Sequence, residues 1–395
     1  MNFRQLSLRN PGIVGLMFLL LGGIGFAVKG SFKPSENISR SAPVVSQLSQ
    51  DTALPEAETN SVLLQTDVDS TTVRDILFRS ELLEQMDRWN GKALFAKLDE
   101  TQSPHQFRYY YHNSLYQNTN NNALQDPGDA NFFNPASLVK VPLAALTLET
   151  LTNKGLSRQA EYRVVGSDYW HRFEDDIRRA LVISDNDATN RLILWLGFNR
   201  INSRFVDKGF FDLAINRLML DQGTLVSSPA FEVRFNGVVT QQPEMSVTAE
   251  PSCYETRENI GNCASANDLV QGFMQINQPE YFPADEGFLL SPSDRAWLQS
   301  TMSHTPREEG FDYPDDYCRF LTEIEKRLAT NGGKMLSKCG VSLFTNTYTD
   351  LSYIETDAGQ KYYILLSLKP PRRVAEPNII RYMNQVVDAV LSAPL

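Results

Sequence analysis

Strand-like runs stand near the start and at the end of residues 71–395, and helical patterns fill the space between them. A chain ordered in this way builds one sheet by bringing its two ends together, with the central block packed alongside as a helical lobe. The early strands are Ala93–Leu98 and Phe107–Tyr111; the late ones are Val341–Phe344, Leu351–Glu355 and Lys361–Leu368, with Asp357-Ala358-Gly359 as a hairpin turn. Helical spacing covers Thr71–Trp89, Leu138–Thr152, Glu174–Ile183, Asp187–Leu196, Ala266–Gln275 and Ala375–Leu391. A hairpin, Phe231–Phe235 with Gly237–Thr240, is inserted in the second half of the block. The expected fold is therefore mixed α/β (α+β): a five-stranded antiparallel sheet built from both chain ends plus a helical lobe. A nucleophile between the two layers would lie where ligand clefts commonly form.

Three short motifs occur in one order: Ser137-x-x-Lys140, Ser184-Asp185-Asn186 and Lys338-Cys339-Gly340. Together they supply the groups of a serine acyl-transfer site. Ser137 is the candidate nucleophile, and Lys140, one helical turn on, is the candidate base that takes its proton. A partly desolvated lysine can do this because burial disfavours its charged form. Ser184 is expected to relay protons, Asn186 to hold the lysine and the substrate, and Lys338 to attract a substrate carboxylate. Ser-Asp-Asn is the rarest of the three, expected by chance in roughly one chain in fifteen of this length. The bland alternative is a helix-capping serine, a polar turn and an exposed lysine with no relation to one another.

At these residues the chain resembles the class A β-lactamases and the penicillin-binding DD-peptidases, whose motifs are Ser-x-x-Lys, Ser-Asp-Asn and Lys-Thr/Ser-Gly. The resemblance runs from about Thr71 to Leu395. It implies an acyl-enzyme on Ser137 with a β-lactam or an acyl-D-Ala-D-Ala peptide. The oxyanion hole would come from the backbone N–H groups of Ser137 and Val341, and no cofactor or metal is implied. It further implies β-lactam hydrolysis; the alternatives are a slow-deacylating DD-peptidase or transpeptidase, or a β-lactam- or wall-fragment-binding protein with little turnover.

Two departures from the family pattern bear on these expectations. Cys339 replaces the hydroxyl residue that helps bind the substrate carboxylate, and a thiol is a weak donor, so Lys338 and Ser342 would share that work beside Gly340. The Glu-x-x-x-Asn pattern that activates the deacylating water is absent. Glu250, followed by Pro251, is the nearest match and stands before the helical Ala264–Val270; the other reading of Glu250 is an exposed loop acid.

Four cysteines allow three connectivities. The preferred pairs are Cys253 with Cys263 and Cys318 with Cys339; a free Cys339 would be a buried thiol or an oxidisable one. The four histidines show no ligand spacing, so no metal is expected. A net charge of −10 without a basic stripe argues against nucleic acid as a partner. At 42% hydrophobic residues, the 395-residue chain is rich enough to bury a core.

At the N-terminus, Arg4 and Arg9 precede an apolar run over Gly12–Val28, the pattern of an export signal. No clear small-x-small cleavage site follows, which favours a signal-anchor over residues 1–29 and an exported, membrane-tethered protein. Residues 30–70 read as a flexible linker, and 71–395 as the catalytic domain; the oligomeric state is left open.

Overall fold

In the computed structural model the chain divides into 1–57 and 58–395. The structure describes residues 67–69, 71–100, 106–113, 132–220, 226–248, 253, 261–283, 286–343, 345–393 and 395. The expected signal-anchor and most of the expected linker lie outside these residues.

The main sheet holds the five expected antiparallel strands and one more. In chain order they are β1 (Asp67–Asp69), β2 (Lys92–Asp99), β3 (Gln106–His112), and, from the C-terminal end, Lys334–Ser342, Thr347–Glu355 and Lys361–Leu368. The three late strands form a meander, and Lys361–Leu368 pairs antiparallel with β2, which joins the two ends of the chain. The extra strand, β1, comes from the last residues of the expected linker and pairs parallel with β3. The strand Lys334–Ser342 forms the opposite edge. It begins seven residues before the expected start, so the whole Lys338-Cys339-Gly340 motif lies inside a strand.

Helices cover both faces of this sheet, which is why its strands read as near-continuous apolar runs rather than a clean alternation. On one face Leu94, Tyr109, Tyr111, Leu351 and Tyr363 pack against the central helices α3 (Lys140–Asn153) and α7 (Ala266–Asn277). On the other, Phe95, Tyr110, Ile354 and Leu366 pack against α1 (Thr72–Arg79), α9 (Thr322–Asn331) and α10 (Glu376–Leu391). The Tyr109–Tyr111 cluster is therefore sheet core.

The helix expected over Thr71–Trp89 is two helices, α1 and α2 (Leu83–Arg88), broken where Glu81 takes a left-handed φ of 61°. The central lobe also contains α4 (Phe173–Val182), α5 (Asn186–Leu196), α6 (Phe198–Asp207) and α8 (Pro292–Ser303). The inserted hairpin, Phe231–Phe235 with Val238–Gln242, belongs to a separate four-stranded sheet. Trp170 sits on that sheet between the Arg163 and Arg234 guanidiniums, each 4.4 Å from its ring.

Candidate active site

The nucleophile candidate stands on a tight turn between the two layers. Asn134 Oδ1 accepts from the Ala136 amide at 2.9 Å, which closes the Asn-Pro-Ala bend. Ala136 holds a left-handed φ of 48°, a conformation that costs a non-glycine residue about 1–3 kcal/mol and clusters at functional sites. Ser137 follows in a 3-10 turn, Ala136–Val139, and Lys140 opens α3. Residues three apart eclipse in a 3-10 turn, so Ser137 and Lys140 present to one side.

The edge strand presses against this turn at Gly340. A Cβ there would lie 3.0 Å from Ser137 N, 3.1 Å from Pro135 O and 2.5 Å from Thr349 Oγ1. Only glycine permits that approach, which explains the motif's third position without any appeal to turn geometry. Ser342 closes the same seam from the side, its buried hydroxyl accepting from Asn134 Nδ2 at 3.3 Å.

The second motif links α4 to α5. Ser184 takes a left-handed φ of 54°, and Asp185 caps α5 by accepting from the Ala188 amide at 2.9 Å. Burial opposes ionisation of Asp185, but the Ala188 amide and the Arg179 guanidinium outweigh it and hold its carboxyl below the usual range. This bend aims three acceptors at Lys140. Its fully buried Nζ donates to Ser184 O at 2.6 Å, Asn186 Oδ1 at 2.9 Å and Ser184 Oγ at 3.2 Å. Burial, then the nearby charge of Lys338, drive the Lys140 pKa well below that of an ordinary lysine, against the pull of Asp185.

Lys338 reaches the same hydroxyl from the sheet. Its Nζ donates to Cys339 O at 2.8 Å, Ser184 Oγ at 3.0 Å and Cys318 Sγ at 3.3 Å. The next residue turns to the opposite face of the sheet, where Cys339 is bonded to Cys318. Opposite Cys339 in the neighbouring strand stands Asp350, fully buried. One of its oxygens accepts from the Ser352 hydroxyl; the other, Oδ2, has no hydrogen-bond partner. Burial pushes Asp350 up to about 7, against the Ser352 bond and the charges of Arg319 and Lys338. Burial also lowers Lys338 to about 7, against the attraction of Asp350.

The structure thus brings together Ser137, Lys140, Ser184, Asn186, Lys338, Gly340, Val341 and Ser342 at one seam. Ser342 is buried in that seam, its hydroxyl accepting from Asn134 Nδ2 and from the Thr345 amide. Both preferred disulfides are present, Cys253–Cys263 and Cys318–Cys339. Glu250 lies outside the described residues. Among the described residues no cluster of His, Cys, Asp or Glu could hold a metal ion, and no helix is long and apolar enough to cross a membrane.

Sequence reasoning missed Asp350 and the contact between Lys338 and Cys318. Neither has a sequence signature, because both follow from strand register and from a bridge across 21 residues. Tyr313 and Tyr317 form an exposed ring pair 4.7 Å apart on the segment that ends at Cys318. Two buried lysines converge on the Ser184 hydroxyl between the sheet and the helical lobe, with the Ser137 turn one helical step from Lys140.

The chain belongs to the beta-lactamase enzyme family, whose model matches residues 94–393. Among solved structures it is similar to PBP-A, at 17% identity and a TM-score of 0.52, over 83% of this chain and 97% of that one. It is likewise similar to the chromosome-encoded β-lactamase of Vibrio parahaemolyticus, at 13% identity and a TM-score of 0.52, over 79% of this chain and 96% of that one. A PBP-A variant captured as an acyl-enzyme with penicillin G matches at 16% identity and a TM-score of 0.51, over 81% of this chain and 97% of that one. No curated protein matches the chain.

Proposed function

We propose that this protein is a serine hydrolase that forms an acyl-enzyme on Ser137 with β-lactams and then hydrolyses it. The observation that carries the reading is the buried Lys140, held on Ser184 and Asn186 one turn from Ser137. Deprotonated, its amine takes the Ser137 proton as the hydroxyl oxygen attacks the lactam carbonyl carbon. The tetrahedral oxyanion is received by the backbone N–H groups of Ser137 and Val341. Val341 lies on the edge strand, whose outer groups have no ladder partner, and such donors are worth about 3–4 kcal/mol of barrier each. As the C–N bond breaks, Ser184 passes a proton to the leaving nitrogen, and Lys338 holds the substrate carboxylate. Glu250 is the sequence's candidate for activating the water that releases the acyl group. The export pattern of Gly12–Val28 supports an extracytoplasmic site of action, tethered to a membrane.

A second reading, a DD-peptidase or transpeptidase with slow deacylation, is favoured by the missing Glu-x-x-x-Asn pattern and by the penicillin acyl-enzyme of the PBP-A variant. One experiment separates them: nitrocefin turnover together with time-resolved intact-protein mass spectrometry after penicillin G. Sustained turnover with a short-lived adduct, prolonged in Glu250→Gln, supports the hydrolase. A persistent adduct supports the second reading. No adduct on the unsubstituted chain, or one that survives Ser137→Ala, overturns both.

A further inference from the structure

We propose that Cys318 is a positioning residue for Lys338: the closed Cys318–Cys339 bridge keeps the lysine on Ser184, and opening it turns Cys318 into a counter-ion that draws the lysine away. The inference rests on the acyl-transfer reading for its consequence, but its geometry stands by itself.

Lys338 carries three ammonium protons, and its nearest acceptors are Cys339 O, Ser184 Oγ and Cys318 Sγ, with the other sulfur of the bridge, Cys339 Sγ, farther off at 4.0 Å. Among the described residues no carboxylate forms an ion pair with it; Asp350 acts on it only through its field. A disulfide sulfur is a weak, neutral acceptor. It fixes the direction of the ammonium without capturing its charge, which leaves that charge for Ser184 and for an incoming carboxylate.

A reducing dithiol changes this balance. It delivers two electrons and two protons, the S–S bond breaks, Cys318 and Cys339 become thiols, and the dithiol closes its own disulfide. Cys318 then sits 3.3 Å from an ammonium. A thiol beside a lysine ionises more readily than an ordinary cysteine and gives its proton to solvent. The resulting thiolate attracts the ammonium more strongly than a serine hydroxyl can, since it adds a full opposite charge where the hydroxyl offers only a dipole. Lys338 is then neutralised within the protein, and the carboxylate of the substrate loses its partner. Cys318 is half-buried and thus reachable, whereas Cys339 is buried.

The other bridge supplies an internal control. Cys253 and Cys263 are both buried, and the amide of Asn216, not a cation, donates to Cys253 Sγ at 3.4 Å. Among the described residues no cation is recorded as donating to this bridge.

The test compares the full chain with its bridges closed and opened by dithiothreitol, with near-UV circular dichroism to confirm that the fold persists. The rate of labelling by a fluorescent penicillin should fall about tenfold or more on reduction, the worth of one hydrogen bond to a charged group, and recover on reoxidation. Cys253→Ser/Cys263→Ser should keep this response and Cys318→Ser/Cys339→Ser should lose it. Equal rates in both redox states would overturn the proposal. A second measurement needs no acyl transfer: the pH dependence of Cys318 alkylation by iodoacetamide in the reduced chain, read by peptide mass spectrometry. Its midpoint should fall below the ordinary thiol value of about 8.5 and return towards it in Lys338→Met. A midpoint at or above the ordinary value in the unsubstituted chain overturns the pairing. If neither redox state forms an adduct, the acyl-transfer reading fails, and the alkylation midpoint still decides between Cys318 and a lysine with no sulfur partner.

Discussion

Lys140 and Lys338 donate to the same Ser184 hydroxyl, at 3.2 and 3.0 Å, from two parts of the molecule that are built on different principles. Lys140 is held by the helical lobe. Its acceptors come from one three-residue bend, and that bend is fixed locally by the cap Asp185 provides for α5. Lys338 is held by the sheet. Its surroundings come from an edge strand, the facing strand that carries Asp350, and a cysteine 21 residues from its bridge partner. Each bend of the helical half is thus set by short-range rules, although Lys140 meets its acceptors across 44 to 46 residues. The sheet half depends on register and on a covalent tie, and it is the half that departs from the family's Lys-Thr/Ser-Gly pattern.

The sharpest way to break this comparison is to remove the amine from the helical half. Lys140→Met should lower the rate of penicillin acylation by about 10²–10⁴, the usual worth of a positioned base, in a stopped-flow assay. An unchanged rate would take Lys140 out of the proton path and leave Lys338 as the only amine on Ser184. Next comes the seam between the halves. Gly340→Ala puts a methyl 3.0 Å from Ser137 N. It should slow acylation and cost about 1–3 kcal/mol in urea unfolding, as overpacking does. Loss of stability without loss of rate would show that the seam only holds the fold.

The pH profile compares the two lysines directly. Lys140 works as a base only when neutral, so kcat/KM should rise as pH climbs through its lowered pKa. Lys338 binds a carboxylate only when charged, so kcat/KM should fall as pH passes about 7, where its proton leaves. Lys338→Arg stays charged throughout and should abolish the falling limb. A limb that persists in that variant belongs to another group.

The smallest effect concerns Asp350. Its folded pKa of about 7 stands above its ordinary value of 3.8, so the unfolded chain ionises first as pH rises between the two. The unfolded state then holds fewer protons, and this group's contribution to stability falls across that window. Asp350→Asn removes the titration. Its stabilising effect in thermal unfolding should therefore be larger at about pH 8 than at about pH 5. Equal effects at both would mean that Asp350 does not change charge there.

The order of early strands, helical block and late meander was legible because β-prone aromatic and apolar runs such as Phe107–Tyr111 and helical spacing such as that of Ala375–Leu391 survive in single segments. The candidates Ser137, Lys140, Ser184, Asn186 and Lys338 were legible too, since they stand in short motifs of fixed spacing, and the structure places Lys140, Ser184, Asn186 and Lys338 in contact. The break at Glu81, the sixth strand and the helix Pro292–Ser303 were not legible, because their residues carry weak periodicity and packing against neighbours outweighs local preference. The helix Phe198–Asp207 does carry helical spacing, through the buried Phe198, Ile201 and Phe205.

By itself the sequence determined which short motifs this protein carries and the local bends that present them, because a cap, a turn or a helical step is settled within a few residues. Only the tertiary structure decided what stands behind them. Gly340 matters for its approach to Ser137, Ser342 for its bond to Asn134, Cys339 for its bridge to Cys318, and Asp350 for the field it sets around Lys338. These are contacts between segments far apart in the chain, and no local pattern encodes a distance that only the packing of a sheet against a helical lobe can fix.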